Sequence, residues 1–265
     1  MKELMESEHK RITQAWGRIH ELHPDAYIVP MPNQIARLQY QDFFKVLTQI
    51  VDLRNLVVLE AGCGSGIDGF YLSTLGNRVV SLDYHRIPLH QLTQAKTKFD
   101  RRNEHKLHLN TVCGDIGSLC FRDGMFDLVF NSGVLEHYSS ASEREKILRE
   151  MVRVTRNGGL VAAAIPNKSH PCTHLWEFLA SIFSDVKSYK IPEQVISINE
   201  LSSEMQAVGV NIVWAGGIDV YQTICHYPNW LPLRAIVLLL RILLPMLSSK
   251  LREKFGVRIL VIGRK

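Results

Sequence analysis

The hydrophobic pattern divides the chain into an N-terminal region with helical spacing and a longer region of alternating strands and helices. Apolar residues recur at near-helical spacing in residues 1–23 and 33–51, and this spacing is typical of amphipathic helices. Prolines separate the two segments and interrupt the helical pattern between them. We therefore predict two N-terminal helices.

From residue 56 onward, short apolar runs predict the strands of a sheet. Leu56–Leu59 is continuously apolar, as expected for a parallel strand buried on both faces. The runs that we interpret as strands are Leu56–Leu59, Arg78–Leu82, Leu107–Cys113, Phe126–Phe130, Leu160–Ile165, Val210–Trp214 and Val257–Ile262. Helical segments lie between most of them, so the order predicts a parallel, doubly wound α/β sheet.

Local signals mark where several of these elements begin. Pro88 fits the first turn of the helix after the second strand. Ser142 and Glu145 have the spacing of a capping box for a helix that begins near residue 143. Asn157-Gly158-Gly159 predicts a turn into the fifth strand, and a further helix is expected near residues 199–208.

Composition limits the class of protein. Hydrophobic residues make up 46% of the chain and charged residues 22%, a balance typical of a globular protein and not of a disordered one. The five cysteines are scattered without a CxxC pair, which favours reduced thiols over a disulfide framework or a zinc site. The charged N-terminus lacks the apolar core of a secretory signal. We therefore expect a cytoplasmic protein.

Positive charge is concentrated near the C-terminus. Residues 229–265 contain eight Lys/Arg and one acid, whereas the rest of the chain has a net charge of −2. The same region contains Leu231–Leu247, an apolar run of 17 residues that is shorter than the ~20 residues needed to span a bilayer. Nucleic-acid binding explains this combination poorly.

We interpret residues 225–255 as an insertion, for which two readings remain open. It is either a surface helix that makes peripheral membrane contact through residues 231–258, or a hydrophobic lid on the substrate pocket. Both readings favour an apolar substrate.

A glycine-rich turn follows the first predicted strand. The sequence Glu60-Ala61-Gly62-Cys63-Gly64-Ser65-Gly66 lets the backbone turn tightly and lets a ligand approach closely. Residues 64–69 also satisfy the GxGxxG pattern, with Asp83 nineteen residues after Gly64. A nicotinamide-dependent dehydrogenase is therefore an alternative.

Acidic residues after the next two strands bear on this choice. Asp83 ends the second strand, where it can accept hydrogen bonds from the ribose hydroxyls of either cofactor. Asp115 follows the third strand and can accept the exocyclic amine of adenine. In a doubly wound sheet all these residues meet beyond the carboxyl ends of the strands, where ligands bind.

The motifs EAGCGSG, SLDYH, CGDI, FDLVFNSGVLEHY and MVRVTRNGGLVAAAIPN occur in this order. Together they resemble class I S-adenosylmethionine-dependent methyltransferases, particularly the type 11 group, which includes quinone-biosynthesis enzymes. The resemblance is close over residues 54–168. It implies a Rossmann-like, seven-stranded, mostly parallel sheet with helices on both faces, and S-adenosylmethionine as cofactor. We expect residues 1–52 to form a helical lid on a methyltransferase domain over residues 53–265.

The resemblance also implies eight cofactor-binding residues in the loops after the first four strands. They are Glu60, Gly62 and Gly64 around the methionine moiety, Asp83 at the ribose, Asp115 and Ile116 at the adenine, Tyr84, which either flanks the adenine or packs, and Asn131 on the pocket wall.

His137 is the candidate catalytic residue. A hydroxyl acceptor would need a general base, and a histidine with the ordinary pKa of roughly 6.5 can accept a proton near neutrality. Alternatively, Glu136 and His137 cap a helix and shape the pocket. His170, Cys172 and His174 lie close in sequence, but a loop at the rim of the site explains them better, and we expect no metal site.

The expected reaction is methyl transfer to a small, apolar or lipid-like acceptor through an O, N or C nucleophile. GVLEHY is similar to a stretch of cyclopropane fatty acid synthases, which keeps lipid methylation of that kind as an alternative. A non-catalytic, cofactor-binding regulatory subunit is the other alternative. Trp16, Tyr27 and Tyr40 either close over the site or pack within the N-terminal helices.

Overall fold

Seven strands pair into one sheet in the computed structural model. The structure describes residues 2–22, 41–167, 170, 193–194, 196–219, 254 and 256–265. The strands are β1 (Val57–Ala61), β2 (Arg78–Asp83), β3 (Leu109–Cys113), β4 (Phe126–Ser132), β5 (Thr155–Pro166), β6 (Asn211–Ile218) and β7 (Arg258–Arg264).

The helices alternate with these strands along the chain. They are α1 (Lys2–Leu22), α2 (Asp42–Ile50), α3 (Ile67–Thr74), α4 (Arg86–Arg102), α5 (Ala141–Val154) and α6 (Ile198–Ala207). A single 3₁₀ turn, Leu135–His137, follows β4.

The strand order is β3-β2-β1-β4-β5-β7-β6. β1 to β5 run parallel, and β7 is antiparallel to both of its neighbours. β7 therefore begins at the edge where β1 to β5 end. The predicted seven-stranded, mostly parallel sheet is confirmed.

Helices cover both faces of the sheet, and each face has its own apolar core. One core joins Phe43 and Leu47 of α2 and Phe70 of α3 to Val58 and Phe130 of the central strands. The other joins residues of α5 and α6 to the opposite faces of the same strands. Burial on both faces explains why the central strands read as continuous apolar runs.

Two local predictions were wrong. α5 begins at Ala141, so Ser142 lies inside its first turn and cannot cap it. Instead the Ser142 hydroxyl pairs with the Ser140 hydroxyl at 2.6 Å, and Glu145 accepts from Arg149 Nε at 3.0 Å. β5 begins at Thr155, before the predicted turn, and the extra residues form an irregularity opposite β4.

Several predicted features lie outside the described residues. They are residues 33–40 of the second predicted helix, Tyr27, Tyr40, Cys172, His174 and the apolar run Leu231–Leu247. Within the described ranges, no helix combines the length and apolar character needed to cross a bilayer. The same ranges contain no group of three or more His, Cys, Asp or Glu suited to a metal ion.

Candidate active site

A cavity of about 270 Å³ lies at the carboxyl edge of the sheet, between the ends of β1 to β4 and helix α1. Seven of the nine predicted site residues line it. They are Gly62, Gly64, Asp83, Tyr84, Asp115, Ile116 and His137. The parallel strand order brings these residues together although they come from four separate loops.

The turn after β1 forms the floor of the cavity. The backbone N–H groups of Gly62 and Cys63 donate to the Leu82 carbonyl at 2.8 and 2.9 Å, which fixes the turn to β2. Gly64 has a φ of +49°, and within the described part of the chain no atom other than those of its chain neighbours lies within 4 Å of the position that a Cβ would occupy. A left-handed residue without a side chain thus leaves room for a ligand against the backbone.

Asp83 is held on the wall beside this turn. One carboxylate oxygen accepts from the Gly64 N–H at 2.8 Å, and the other accepts from the His85 N–H at 2.9 Å. Each carboxylate oxygen has a second lone pair, so the side chain can still accept hydrogen bonds from a ligand.

The loop after β3 supplies the next part of the wall. The Asp115 carboxylate accepts from the Gly117 N–H at 2.7 Å, which orients it within a tight turn. Ile116 is buried, and the exposed Tyr84 lines the same cavity. An acid, an apolar side chain and an aromatic ring therefore meet at the β3 end of the cavity.

The structure places Glu60 beneath the glycine turn, away from the cavity wall. Its buried carboxylate accepts from the Ser81 hydroxyl at 2.7 Å and from the Gly69 N–H at 3.2 Å. Burial, followed by the charge of Asp68, raises the pKa of Glu60 well above its ordinary value. A Cβ at Gly69 would collide with the side chains of Glu60 and Ser81. The absence of a side chain at Gly69 therefore permits α3 to pack closely on the sheet.

Asn131 also lies away from the cavity. It is fully buried, and its side-chain amide donates to the Met151 sulfur of α5 at 3.2 Å. The next residue, Ser132, is on the cavity wall instead, because successive strand residues point to opposite faces.

Helix α1 forms one wall of the cavity. Ile12, Trp16 and His20 are spaced by four residues, so they share one helix face, and all three line the cavity. The Trp16 ring meets the His137 ring edge-on, with centroids 5.3 Å apart. The His20 ring lies 5.1 Å from that of His85.

The environment of His20 disfavours its charged form. Burial is the main cause that lowers the pKa of His20, and nearby His85 lowers it further, whereas Asp83 acts in the opposite direction. A buried imidazole thus sits close to the carboxylate that anchors the glycine turn.

His137 is buried at the end of the 3₁₀ turn, on the β4 side of the cavity. The surrounding wall is mainly apolar and includes Ile12, Trp16, Val134 and Tyr138. His137 thus faces mainly apolar side chains, while Ser132 and the Tyr138 phenol add polar groups at this end of the cavity.

Sequence reasoning missed several cavity residues, notably Ile12, His20, His85 and Ser132. Ile12 and His20 lie four residues before and after Trp16, which was predicted. This helical spacing was a usable signal for both. Ser132 could have been found by strand alternation, but only if the face occupied by Asn131 had been known.

Comparisons with known proteins identify a methyltransferase domain in the chain. A family model described as a methyltransferase domain, of the type 11 group, matches residues 59–163. An uncharacterized protein of Methanocaldococcus jannaschii is 28% identical over 72% of this chain and 71% of its own length. The malonyl-[acyl-carrier protein] O-methyltransferase of Hamiltonella defensa is 32% identical over 48% of this chain, which spans only 45% of that enzyme.

Among solved structures, the magnesium protoporphyrin IX methyltransferase of Synechocystis with bound S-adenosylhomocysteine aligns over 100% of this chain and 99% of its own. Its TM-score is 0.57 at 13% identity, a likeness of fold. The match to a methyltransferase domain decides against a nicotinamide enzyme, although the GxGxxG pattern fits both. Together, the family model over residues 59–163 and the similar methyltransferases support an S-adenosylmethionine-dependent methyltransferase of class I, of the type 11 kind.

Proposed function

We propose that the chain transfers a methyl group from S-adenosylmethionine to a small, apolar or lipid-like acceptor bound beside His137. The observation that carries this proposal is the compartment at the β4 end of the cavity, where His137 lies among mainly apolar side chains, several of them from α1. Such a compartment favours an apolar molecule and excludes water from it.

The residues at the other end fit the adenosine part of the cofactor. Gly62 and Gly64 would admit its sulfur-bearing chain, since open space adjoins Gly64. Asp83 would hold the ribose, and Asp115, Ile116 and Tyr84 would hold the adenine. Glu60 would act from below, by fixing α3 and the turn through Gly69 and Ser81, and Asn131 would support the wall from the α5 side.

When bound, S-adenosylmethionine supplies an activated methyl group on a sulfonium. The protein's own contribution is to align the acceptor and exclude water. His137 would take the proton from an oxygen or nitrogen acceptor as the new bond forms, and Trp16 would hold its imidazole ring in place.

Replacing His137 tests its role directly. His137→Ala should reduce kcat by about 10²–10⁴-fold if the residue is a general base. The dissociation constant of S-adenosylhomocysteine should stay within about twofold, because Asp83 and Asp115 remain. The exposed His105 offers a matched control, and His105→Ala should change neither value. Near-normal turnover of His137→Ala would leave only a shaping role.

A carbon acceptor would make less use of a base. Methylation of a lipid double bond, as in cyclopropane synthases, is the second candidate, and the GVLEHY stretch around His137 favours it. The regulatory-subunit alternative predicts cofactor binding without turnover. Transfer of label from methyl-labelled S-adenosylmethionine to small molecules of a cell extract distinguishes these possibilities. The position of the labelled methyl group in the product identifies the nucleophile.

We further propose that residues 1–52 act as a lid and that the C-terminal insertion brings the enzyme to its substrate. α1 supports the first proposal, because its face lines the cavity. The second rests on the apolar run Leu231–Leu247 and the basic residues that follow it. A cytoplasmic enzyme with peripheral membrane contact through residues 231–258 would meet lipid-like acceptors at the bilayer surface.

Co-sedimentation with vesicles tests the membrane proposal. Anionic vesicles should bind the protein at low salt, and higher salt should weaken binding as charges are screened. Replacing Lys250, Arg252 and Lys254 by Ala should abolish this binding. A control variant that loses Lys96, Lys98 and Arg101 of α4 instead should bind normally. Failure to bind either anionic or neutral vesicles would remove the membrane proposal and leave the insertion as a lid.

A further inference from the structure

A chain of hydrogen bonds joins β6, β7 and β4 at the carboxyl edge of the sheet. Arg258, at the start of β7, donates from Nε and Nη2 to one carboxylate oxygen of Asp219, at 2.7 and 2.6 Å. Its third nitrogen, Nη1, donates to the Ser132 hydroxyl oxygen at 2.9 Å. Ser132 ends β4 and lies on the cavity wall.

Asp219 is built to hold Arg258 in one orientation. It is fully buried, has a left-handed φ of 61°, and its own N–H donates to Asp42 at 2.9 Å. Nearby Asp68 is partly buried, and the charge of Arg258 opposes the rise that burial causes in the pKa of Asp68. Asp219 therefore fixes the guanidinium, and one N–H of Arg258 is directed at Ser132.

This arrangement determines what the Ser132 hydroxyl can do. A hydroxyl has one proton to donate and two lone pairs that can accept. Arg258 occupies a lone pair, and a donor that carries charge strengthens the hydroxyl's own donation. Within the described ranges, no protein acceptor for that proton is observed, so it can be donated to a molecule in the cavity.

The strand order indicates which molecule this is. Along the sheet edge the cavity residues follow the order Asp115 of β3, Asp83 of β2, Gly64 of β1 and Ser132 of β4. This step rests on the proposed function: with the adenine at Asp115 and the ribose at Asp83, the amino-acid end of the cofactor extends towards β4. Its carboxylate can only accept hydrogen bonds.

We propose that Ser132 donates a hydrogen bond to the carboxylate of the cofactor's amino-acid end, and that Arg258, held by Asp219, is its positioning residue. Ser132 then discriminates ligands that carry this carboxylate from those that lack it. Arg258 contributes without touching the ligand, by fixing and polarising the hydroxyl.

Two probes test the proposal by calorimetry on the full chain. S-adenosylhomocysteine carries the amino-acid end, whereas 5′-methylthioadenosine keeps the adenosine and thioether but lacks it. Ser132→Ala should weaken S-adenosylhomocysteine binding roughly 10- to 100-fold, the range for a hydrogen bond to a charged group. Binding of 5′-methylthioadenosine should stay within about twofold, and Ser132→Thr, which keeps the hydroxyl, should restore most of the loss.

Arg258→Met should also reduce the preference for S-adenosylhomocysteine over 5′-methylthioadenosine. In the Ser132→Ala background the same substitution should cause no further reduction, because the two residues act through one hydroxyl. A general loss of structure would weaken both probes together. Equal losses of affinity for both probes would overturn the proposal, and so would an unchanged affinity of Ser132→Ala for S-adenosylhomocysteine. If that affinity is unchanged and the KM for the acceptor is raised, Ser132 contacts the acceptor instead. Failure of the wild type to bind either probe would instead refute the proposed cofactor site.

Discussion

At the scale of single residues, Gly64 and Asp83 work as a pair. The Gly64 N–H donates to the Asp83 carboxylate at 2.8 Å, so the conformation of the turn and the orientation of the acid depend on each other. A ligand that lies against Gly64 is consequently within reach of Asp83. Because of this coupling, a small change in the turn should affect ligand binding as well as folding.

Gly64→Ala tests this coupling, and Gly76 provides a matched control. Both glycines have positive φ, +49° and +87°, and among the residues that the structure describes neither has atoms other than those of its chain neighbours within 4 Å of a Cβ position. Each alanine should therefore cost about 1–2 kcal/mol of unfolding free energy through backbone strain. Only Gly64 lines the cavity, so Gly64→Ala should also weaken S-adenosylhomocysteine binding by about tenfold or more, measured by calorimetry. Equal affinities in the two variants would show that the ligand does not approach Gly64.

The predicted residues in the loops line the cavity, whereas two predicted residues within strands lie away from it. Gly62, Gly64, Asp83 and Asp115 follow strand ends, where parallel topology leaves one possible location. Glu60 and Asn131 lie within strands that are buried on both faces, so no alternation of polar and apolar residues indicated which way their side chains point.

At the scale of elements, α1 is the part of the site contributed from outside the sheet. Its cavity face brings Trp16 against His137 and His20 against His85. Gly17 lies between Trp16 and His20 along α1, and a Cβ at this position would lie 3.2 Å from the His85 ring. The absence of a side chain at Gly17 thus permits close approach of α1 to the start of α4.

The docking of α1 should depend on pH through His20. Burial lowers the pKa of His20 below its ordinary value of 6.5, so the unfolded chain binds this proton more readily than the native protein does. Native stability is therefore complete above the ordinary value and is lost as the pH falls below it, towards the lowered native pKa. The groups that face His20 are Asp83, His85 and Trp16.

Thermal unfolding of two variants measures this effect. Between about pH 7.5 and about pH 5.5 the wild type should lose more stability than His20→Phe, which keeps a ring but cannot be protonated. The exposed His105 supplies the control, and His105→Phe should follow the wild-type profile. Identical pH profiles for the wild type and His20→Phe would contradict the assignment.

Element boundaries followed from the sequence where a signal was strong. Pro88 does lie in the first turn of α4, as predicted. The helix expected near residues 199–208 is α6, and its cap at Ser197, which accepts from the Glu200 N–H at 3.1 Å, was not predicted. The predicted capping box at Ser142 failed because Ser140 offered an earlier start. Ser140 and Ser142 lie only two residues apart, so packing decides between them, and Glu143 and Arg144 are both buried.

At the scale of the whole molecule, the order of motifs was enough to predict the sheet and the edge that carries the site. Repeated strand–helix units admit few topologies, and ligands bind at the carboxyl ends of their strands. The placement of α1 could not be predicted in this way. The placement of α1 depends on contacts between distant parts of the chain. Helical spacing shows which residues share a face of the helix, but not which part of the protein that face packs against.

The central claim is that this cavity methylates a small, apolar molecule. The measurement is incubation with methyl-labelled S-adenosylmethionine and a cell extract, followed by separation of organic-soluble compounds, protein and nucleic acid. We predict label in the organic-soluble fraction, lost in a reaction without enzyme and strongly reduced with His137→Ala if the acceptor carries a proton. Label confined to protein or nucleic acid, or no transfer by a chain that binds the cofactor, would contradict the claim.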